Sequence, residues 1–201
     1  VAPLSASFAE KIRLSCPVQR VERDAEGVTV HSAAGAERFD QVVFACHSDQ
    51  ALALLAEPSQ AEREILGNLR YADNDVVLHT DTRLLPDRPL AWASWNYRLG
   101  GPSEQPAAVT YNMNILQGIK APQTFCVSLN QSAAIDPAKI LGRYTYAHPQ
   151  YSLDGIAAQA RWNEISGQQH SHFCGAYWAS GFHEDGVVSA LRVAEHFGES
   201  L

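Results

Sequence analysis

The 201-residue sequence predicts an α+β chain: an antiparallel or mixed sheet with helices fills the middle, and the two ends contribute a smaller set of strands and a C-terminal helix. Three observations predict it. Residues 17–46 alternate or run apolar in short stretches with turn signals between them. Residues 75–148 carry five further strand-like runs separated by Pro and Gly clusters. Residues 173–198 pass from a short strand through a glycine-rich aromatic loop into an amphipathic helix.

From the start, Leu4 to Ile12 suits a short helix. Pro17 to Arg23 alternates apolar and polar, Asp24-Ala25-Glu26-Gly27 makes a turn, and Val28 to His31 alternates again as a hairpin partner. Ala33-Ala34-Gly35 is a second turn. Gln41 to Cys46 is a continuous apolar run of the kind a strand buried on both faces shows, and Ala51 to Ala56 is helical. Ser59 caps a helix that Gly67 stops, with early acids that suit its dipole. Strands then follow at Asp75–Thr80, Leu90–Tyr97, Ala107–Asn114, Thr124–Leu129 and Ile140–His148. Pro86-Asp87-Arg88-Pro89 and Gly100-Gly101-Pro102 interrupt them, and Ile156–Trp162 forms a covering helix. In Leu90–Tyr97, strand alternation puts Trp92 and Trp95 on opposite faces.

Composition narrows the function classes. A net charge of −7 argues against nucleic acid as a partner. No apolar run approaches the ~20 residues that cross a bilayer, so a transmembrane chain is not expected. Cys16, Cys46, Cys126 and Cys174 are far apart without a Cys-x-x-Cys, which fits reduced thiols and a cytoplasmic location. Gly-x-Ser-x-Gly and the P-loop are both missing, which leaves serine hydrolysis and P-loop chemistry without support.

The last segment carries the chemistry. Asp185 reads as the N-cap, Val187, Ala190, Leu191, Ala194 and Phe197 repeat at helical spacing, and Gly198 ends the run. The first turn has backbone N–H groups without internal partners and the positive end of the dipole, which suits an electron-rich ligand atom at Gly186 and Val187. Gly175, Gly181 and Gly186 allow its close approach. A rival reading is metal binding. His170, His172 and Cys174 alternate, so on a strand they share a face, and His183, Glu184 or Asp185 would complete a tetrahedral site.

The run Phe173-Cys174-Gly175, followed by Gly181-Phe182-His183-Glu184-Asp185-Gly186 before the last helix, resembles the flavin-contacting segment of FAD-dependent amine oxidases and phytoene desaturase-like flavoproteins. It is most similar to the bacterial predicted NAD/FAD-binding amine oxidase-type branch. Pro17-Val18, the hairpin and the strand ending Ala45-Cys46 are similar to the second part of the same family's FAD-binding domain. The resemblance implies a partial FAD-binding domain from residues 1–56 and 165–201, and a substrate-binding domain from 57–164. It implies that Val18, Ala45, Cys46, Gly175, Gly181, Glu184, Asp185, Gly186 and Val187 hold FAD, with His79, Trp178 and Phe182 as pocket candidates. The sequence departs from the family where Ala176 follows Gly175 in place of an acid; Glu184, Asp185 or backbone N–H groups then take over.

A second departure is larger. The strand, Gly-x-Gly-x-x-Gly turn and helix that anchor a pyrophosphate have no counterpart here. The resemblance, and a chain beginning at Val1, imply the later half of a longer enzyme whose N-terminal Rossmann segment is the partner of this piece. On this reading the parent is an FAD-dependent oxidoreductase acting on a small-molecule or lipid-like substrate, and oxidase, desaturase and isomerase chemistry are equally allowed. The piece alone is expected to lack FAD and activity. A third reading is a non-catalytic flavoprotein-derived module linked to lipid modification.

Overall fold

A computed structural model describes residues 2–99 and 108–199. Gly100-Gly101-Pro102 and Ala107 lie outside the described residues. The chain divides into two compact units, Val1–Arg70 with Pro149–Leu201, and Tyr71–His148.

The first unit begins with α1 (Ala2–Ser5) and a 3₁₀ turn (Ala6–Lys11) where one helix was expected; Phe8 breaks it with non-helical dihedrals. β1 (Val18–Asp24), β2 (Gly27–Ser32) and β3 (Gly35–Phe39) form an antiparallel meander in that order. The first turn closes because Asp24 Oδ1 accepts from the Glu26 N–H at 2.8 Å. Gly27 follows at φ +151, where a Cβ would lie 2.5 Å from the Phe39 carbonyl oxygen, so only glycine fits. Then come β4 (Val42–Phe44), α2 (Ser48–Leu54) and α3 (Gln60–Asn68).

The cap of α3 is reciprocal. Ser59 Oγ accepts from the Glu62 N–H at 3.2 Å, and Glu62 Oε2 accepts from the Ser59 N–H at 2.7 Å. Gly67, expected as the stop, lies inside the helix, which runs on to Asn68. Glu62 also meets Arg23 through two bonds of 2.5 and 2.9 Å, in a site where the two side chains are 6% (Arg23) and 2% (Glu62) exposed. Arg23 additionally reaches the Glu57 carbonyl at 3.0 Å and Ser171 Oγ at 3.3 Å. Burial raises the Glu62 pKa, but the Arg23 bonds and the Ser59 amide outweigh it and hold the carboxyl below its ordinary range.

The second unit holds β5 (Tyr71–His79), β6 (Trp95–Tyr97), β7 (Val109–Asn112), α4 (Met113–Gln117), β8 (Cys126–Leu129) and β9 (Ile140–Pro149). Its five-stranded sheet has the order β6-β7-β8-β5-β9. The strand expected over Leu90–Tyr97 shortens to three residues. Pro89 starts a 3₁₀ turn instead, and Trp92 sits at its end, donating Nε1–H to the Pro86 carbonyl at 2.8 Å. The opposite-face pairing of Trp92 and Trp95 therefore does not arise.

One face of the sheet buries Thr110, Asn112, Ser128 and His79 together with Val77 and Cys126. Trp95, Tyr111, Val127 and Leu78 stand opposite one another on the other, followed by Tyr97, Val109, Leu129 and Val76.

The chain then returns to the first unit with α5 (Leu153–Gln159), β10 (Ser171–Phe173) and α6 (His183–His196). β10 pairs parallel with β4, Phe173 opposite Phe44, and their rings stack at 5.2 Å. Segments more than a hundred residues apart thus form one small sheet. Val21, Val28, Ile65, Leu66 and Phe173 are at most 1% exposed and make this unit's core; burying each such side chain contributes roughly 1.5–3 kcal/mol.

Candidate cofactor site

Parallel strands leave their sheet at the same end. Beyond Phe44 and Phe173, Ala45-Cys46 and Cys174-Gly175 emerge side by side, with the Cys174 N–H donating to the Phe44 carbonyl at 3.0 Å. Burial raises the Cys174 thiol pKa, and the neighbouring Cys46 adds to the shift. The α6 N-terminus is fastened to the same place by Ser189. Its Oγ accepts from the Gly175 N–H at 2.8 Å and donates to the Gly186 carbonyl at 2.9 Å. In open α/β sheets, ligands bind outside the carboxyl ends of strands, against helix N-termini.

The helix starts two residues before the expected cap. Phe182 is the N-cap, and Asp185, at the third helical position, accepts from the Phe182 N–H with Oδ2 at 2.9 Å. Asp185 still caps, but from inside the helix. Phe182 offers no side-chain acceptor, so the reciprocal half of a capping box is chemically impossible there. Gly186 donates its N–H to the Phe182 carbonyl at 3.3 Å, which moves the unpaired donors forward: among the described residues the amides of His183, Glu184 and Asp185 have no partner.

Of the expected site residues, Ala45, Cys46, Gly175, Gly181, Glu184, Asp185, Gly186 and Val187 gather around these strand ends and the helix start. Trp178 and Phe182 belong to the same loop. Trp178 is 6% exposed and its Nε1–H has no partner, whereas Phe182 is 61% exposed. Gly181 lies under the Tyr151 hydroxyl, 2.6 Å from where its Cβ would stand. Sequence reasoning passed over Tyr151, whose only signal was an aromatic residue just before α5. Burial and the Asp185 charge raise its pKa, which keeps the hydroxyl protonated.

Two expected residues lie elsewhere. Val18, at the start of β1, lines a surface cavity of about 630 Å³ with Cys16, Val30, Ser32 and Phe39. His79 is fully buried in the second unit. Its Nδ1 accepts from the Asp81 N–H at 3.1 Å, so Nε2 carries the proton and donates to Ser128 Oγ at 2.8 Å. Ser128 then turns its own hydrogen to Thr110 Oγ1 at 2.7 Å. With that tautomer and no solvent access, the His–Ser contact is a structural relay and supplies no general base.

The metal reading is overturned. Among the described residues no group of three His, Cys, Asp or Glu is placed to hold an ion. β10 begins at Ser171, and His170 has φ +59, so the alternation that put His170, His172 and Cys174 on one face fails. Gln41 engages both imidazoles, through His170 Nδ1 at 3.3 Å and His172 Nε2 at 3.2 Å. His172 is 1% exposed and its Nδ1 is unpartnered. Burial, and secondarily His196, hold its pKa below the ordinary 6.5. The unfolded chain therefore binds a proton that the folded chain refuses, so stability is full above pH 6.5 and falls as pH drops below it. Thermal unfolding between pH 8 and 5 should show the midpoint falling, with a smaller slope in His172→Gln.

Comparison with known proteins gives the family. A family described as flavin containing amine oxidoreductase matches residues 2–114, more than half of the chain. The chain belongs to this family. No curated protein matches this chain. Solved structures do. A CLA-producing fatty acid isomerase from P. acnes is 13% identical with a TM-score of 0.62, over 90% of this chain and 47% of its own. Putrescine oxidase, solved bound to putrescine, is 12% identical with a TM-score of 0.61, over 98% of this chain and 51% of its own. Cyclohexylamine oxidase from Brevibacterium oxydans is 15% identical with a TM-score of 0.55, over 97% and 51%. These likenesses are in fold. The chain spans about half the length of the solved structures it matches. No described helix is long and apolar enough to cross a membrane.

The donor set fits a flavin. Three unpaired amides at the start of α6 are hydrogen-bond donors, whereas Cys46 and Cys174 stay protonated by burial and offer no charge. Such a set suits an uncharged ring with acceptor atoms along one edge.

Proposed function

We propose that this chain is the later part of an FAD-dependent oxidoreductase of the amine oxidase type, which moves hydride from a C–N or C–C bond to flavin. The observation that carries the reading is the convergence of the β4 and β10 carboxyl ends on the N-terminus of α6. In the proposal the unit made by the two ends is the partial FAD-binding domain, and Tyr71–His148 is the body of the substrate-binding domain. The bound flavin supplies the electron transfer. The protein groups do the rest: the amides of His183, Glu184 and Asp185 meet the electron-rich edge of the ring, Ser189 holds Gly175 and α6 in register, and Ala45 and Cys46 wall the opposite side.

The β4 edge supports a further segment. Val42 and Phe44 spend their backbone groups on β10, with the Val42 N–H on the His170 carbonyl at 2.9 Å. Val43, between them, turns its amide and carbonyl outward, where no described residue meets them, and its side chain is 45% exposed. On the far side of β10 the edge is closed. Ser171 bonds both ways with Gln168 and Gly167, the Phe173 N–H donates to Ser166 Oγ at 3.3 Å, and the Phe173 carbonyl accepts from Trp162 Nε1 at 2.8 Å. Two parallel strands with one open, apolar edge call for a third strand against β4. In the proposal that strand belongs to the Rossmann segment, which also brings the pyrophosphate anchor.

FAD titration tests the reading. The parent protein carrying that segment should take up one FAD with flavin absorbance, and a candidate substrate should bleach it under anaerobic conditions. The 201-residue chain alone should leave FAD free. A parent that takes no FAD would sink the proposal, and a parent that binds FAD but is reduced by no substrate would make it a scaffold.

A further inference from the structure

We propose that the flank of α6 formed by Val187, Ala190 and Ala194, with Val43 of β4 beside it, seats a second helix, contributed by the segment that adds a strand to β4. This names a partner surface and rests on the proposal that a further segment of the parent completes the β4 edge.

The first observation is that α6 is apolar on a side that nothing covers. Ser189 and Val193 turn inward and are 3% and 4% exposed. Arg192 marks another side. Its guanidinium lies 4.2 Å from the centre of the Trp162 ring, and Trp162 closes the outer edge of β10 through the Phe173 carbonyl. Successive helical residues turn by about 100°, so Val187, Ala190 and Ala194 stand nearly opposite Arg192. They face away from the sealed edge and toward β4. Val187 is 48% exposed and Ala190 is also exposed, although a helix of a folded unit normally buries its apolar stripe.

The second observation lies on the sheet. Val43 stands directly opposite His172 in the pairing of β4 with β10, so the two side chains share a face. The His172 ring packs against His196 and Phe197 at the end of α6, with centroids 4.6 and 4.9 Å apart. α6 therefore covers the β10 row on that face and leaves the β4 row open: His172 is 1% exposed and Val43 is 45% exposed. Packed helix axes lie about 8–10 Å apart, roughly two strand spacings. A helix beside α6 would thus stand above β4 and the strand that joins it. Strands enter parallel sheets through crossovers of a dozen or more residues, usually helical, so the segment that completes the edge brings a helix with it. The solved structures that share the fold carry about half of their length beyond the part this chain matches, which is room for such a segment.

Thiol labelling followed by peptide mass spectrometry tests this. Ala190→Cys and, on the solvent side of α6, Glu195→Cys are each made in the 201-residue chain and in the parent protein, with melting temperatures to confirm folding. In the 201-residue chain both introduced thiols should react with a maleimide at similar rates. In the parent the Ala190→Cys thiol should react roughly tenfold more slowly or less, with Glu195→Cys unchanged. Oxidative crosslinking of Ala190→Cys to single cysteines placed along the added segment should succeed at positions three and four apart, the spacing of a helix face. Equal labelling of Ala190→Cys in chain and parent, protection of both introduced thiols alike, or crosslinks at every second position would overturn the proposal. So would protection that fades on dilution, since the cover would then be a second copy. The labelling reads cover and not flavin. A parent that protects Ala190→Cys yet takes up no FAD keeps this inference and removes the flavin reading, and FAD uptake with Ala190→Cys freely labelled does the reverse.

Discussion

Replacing Glu62 by Gln should destabilise the first unit by about 3–5 kcal/mol, the usual consequence of leaving one charge of a buried pair alone. Arg23 would lose its counter-charge and one of its two acceptors at a position where its side chain is 6% exposed, and the NH2 that replaces the other oxygen would face the guanidinium donor to donor. The Ser59 cap would weaken with it, because Glu62 Oε2 serves both. Urea unfolding followed by circular dichroism should show the loss as a shift in midpoint with little change in slope. The double variant Arg23→Met with Glu62→Leu should recover much of it, since well-packed apolar replacements of a buried ion pair are often neutral or better. A single variant within 1 kcal/mol of the native chain would show that the pair is solvated.

Phe173→Ala should cost a similar amount, about 3–5 kcal/mol, by the cavity left behind. Its ring is fully buried and stacks on Phe44 under the paired strands. The change should reach the candidate site as well. Phe173 sets the register from which Cys174 and Gly175 leave the sheet, so amide exchange at Cys174 and Gly175 should rise more than exchange in the second unit. If stability falls but those two amides stay protected, the strand pairing does not depend on the ring stack.

Much of this fold was legible because its signals are local. Ser59 with Glu62 three residues later predicts a capping box, and Asp24 to Gly27 predicts a turn; both form through bonds between near neighbours. The strand, loop and helix from Phe173 to Gly198 were legible for the same reason. The start of α6 was misplaced because an acid near a helix start serves equally as N-cap or, from the third position, as the group that reaches back. Only the backbone of Phe182 decides between them. The strand through Trp92 failed because Pro89 favours a tight turn. Long-range features were silent. Nothing near Arg23 announces Glu62, 39 positions on, and the burial of Thr110, Asn112, Ser128 and His79 on one face of the second sheet needs the register of its strands before it can be seen. At the candidate site, residue types that suit close approach to a ligand were readable, whereas Tyr151 over Gly181 depends on a turn that only folding brings there.

The sealed outer edge of β10 has a consequence for how the chain is made. Its partner β4 is made some 130 residues before Ser171 to Phe173 arrive. Until then the flank of β4 that β10 covers is open, and closure over so long a separation is slow. Newly made chains should therefore lean on holdase chaperones during synthesis, and cutting the gene before Ser171 should leave an aggregating product rather than a smaller soluble one.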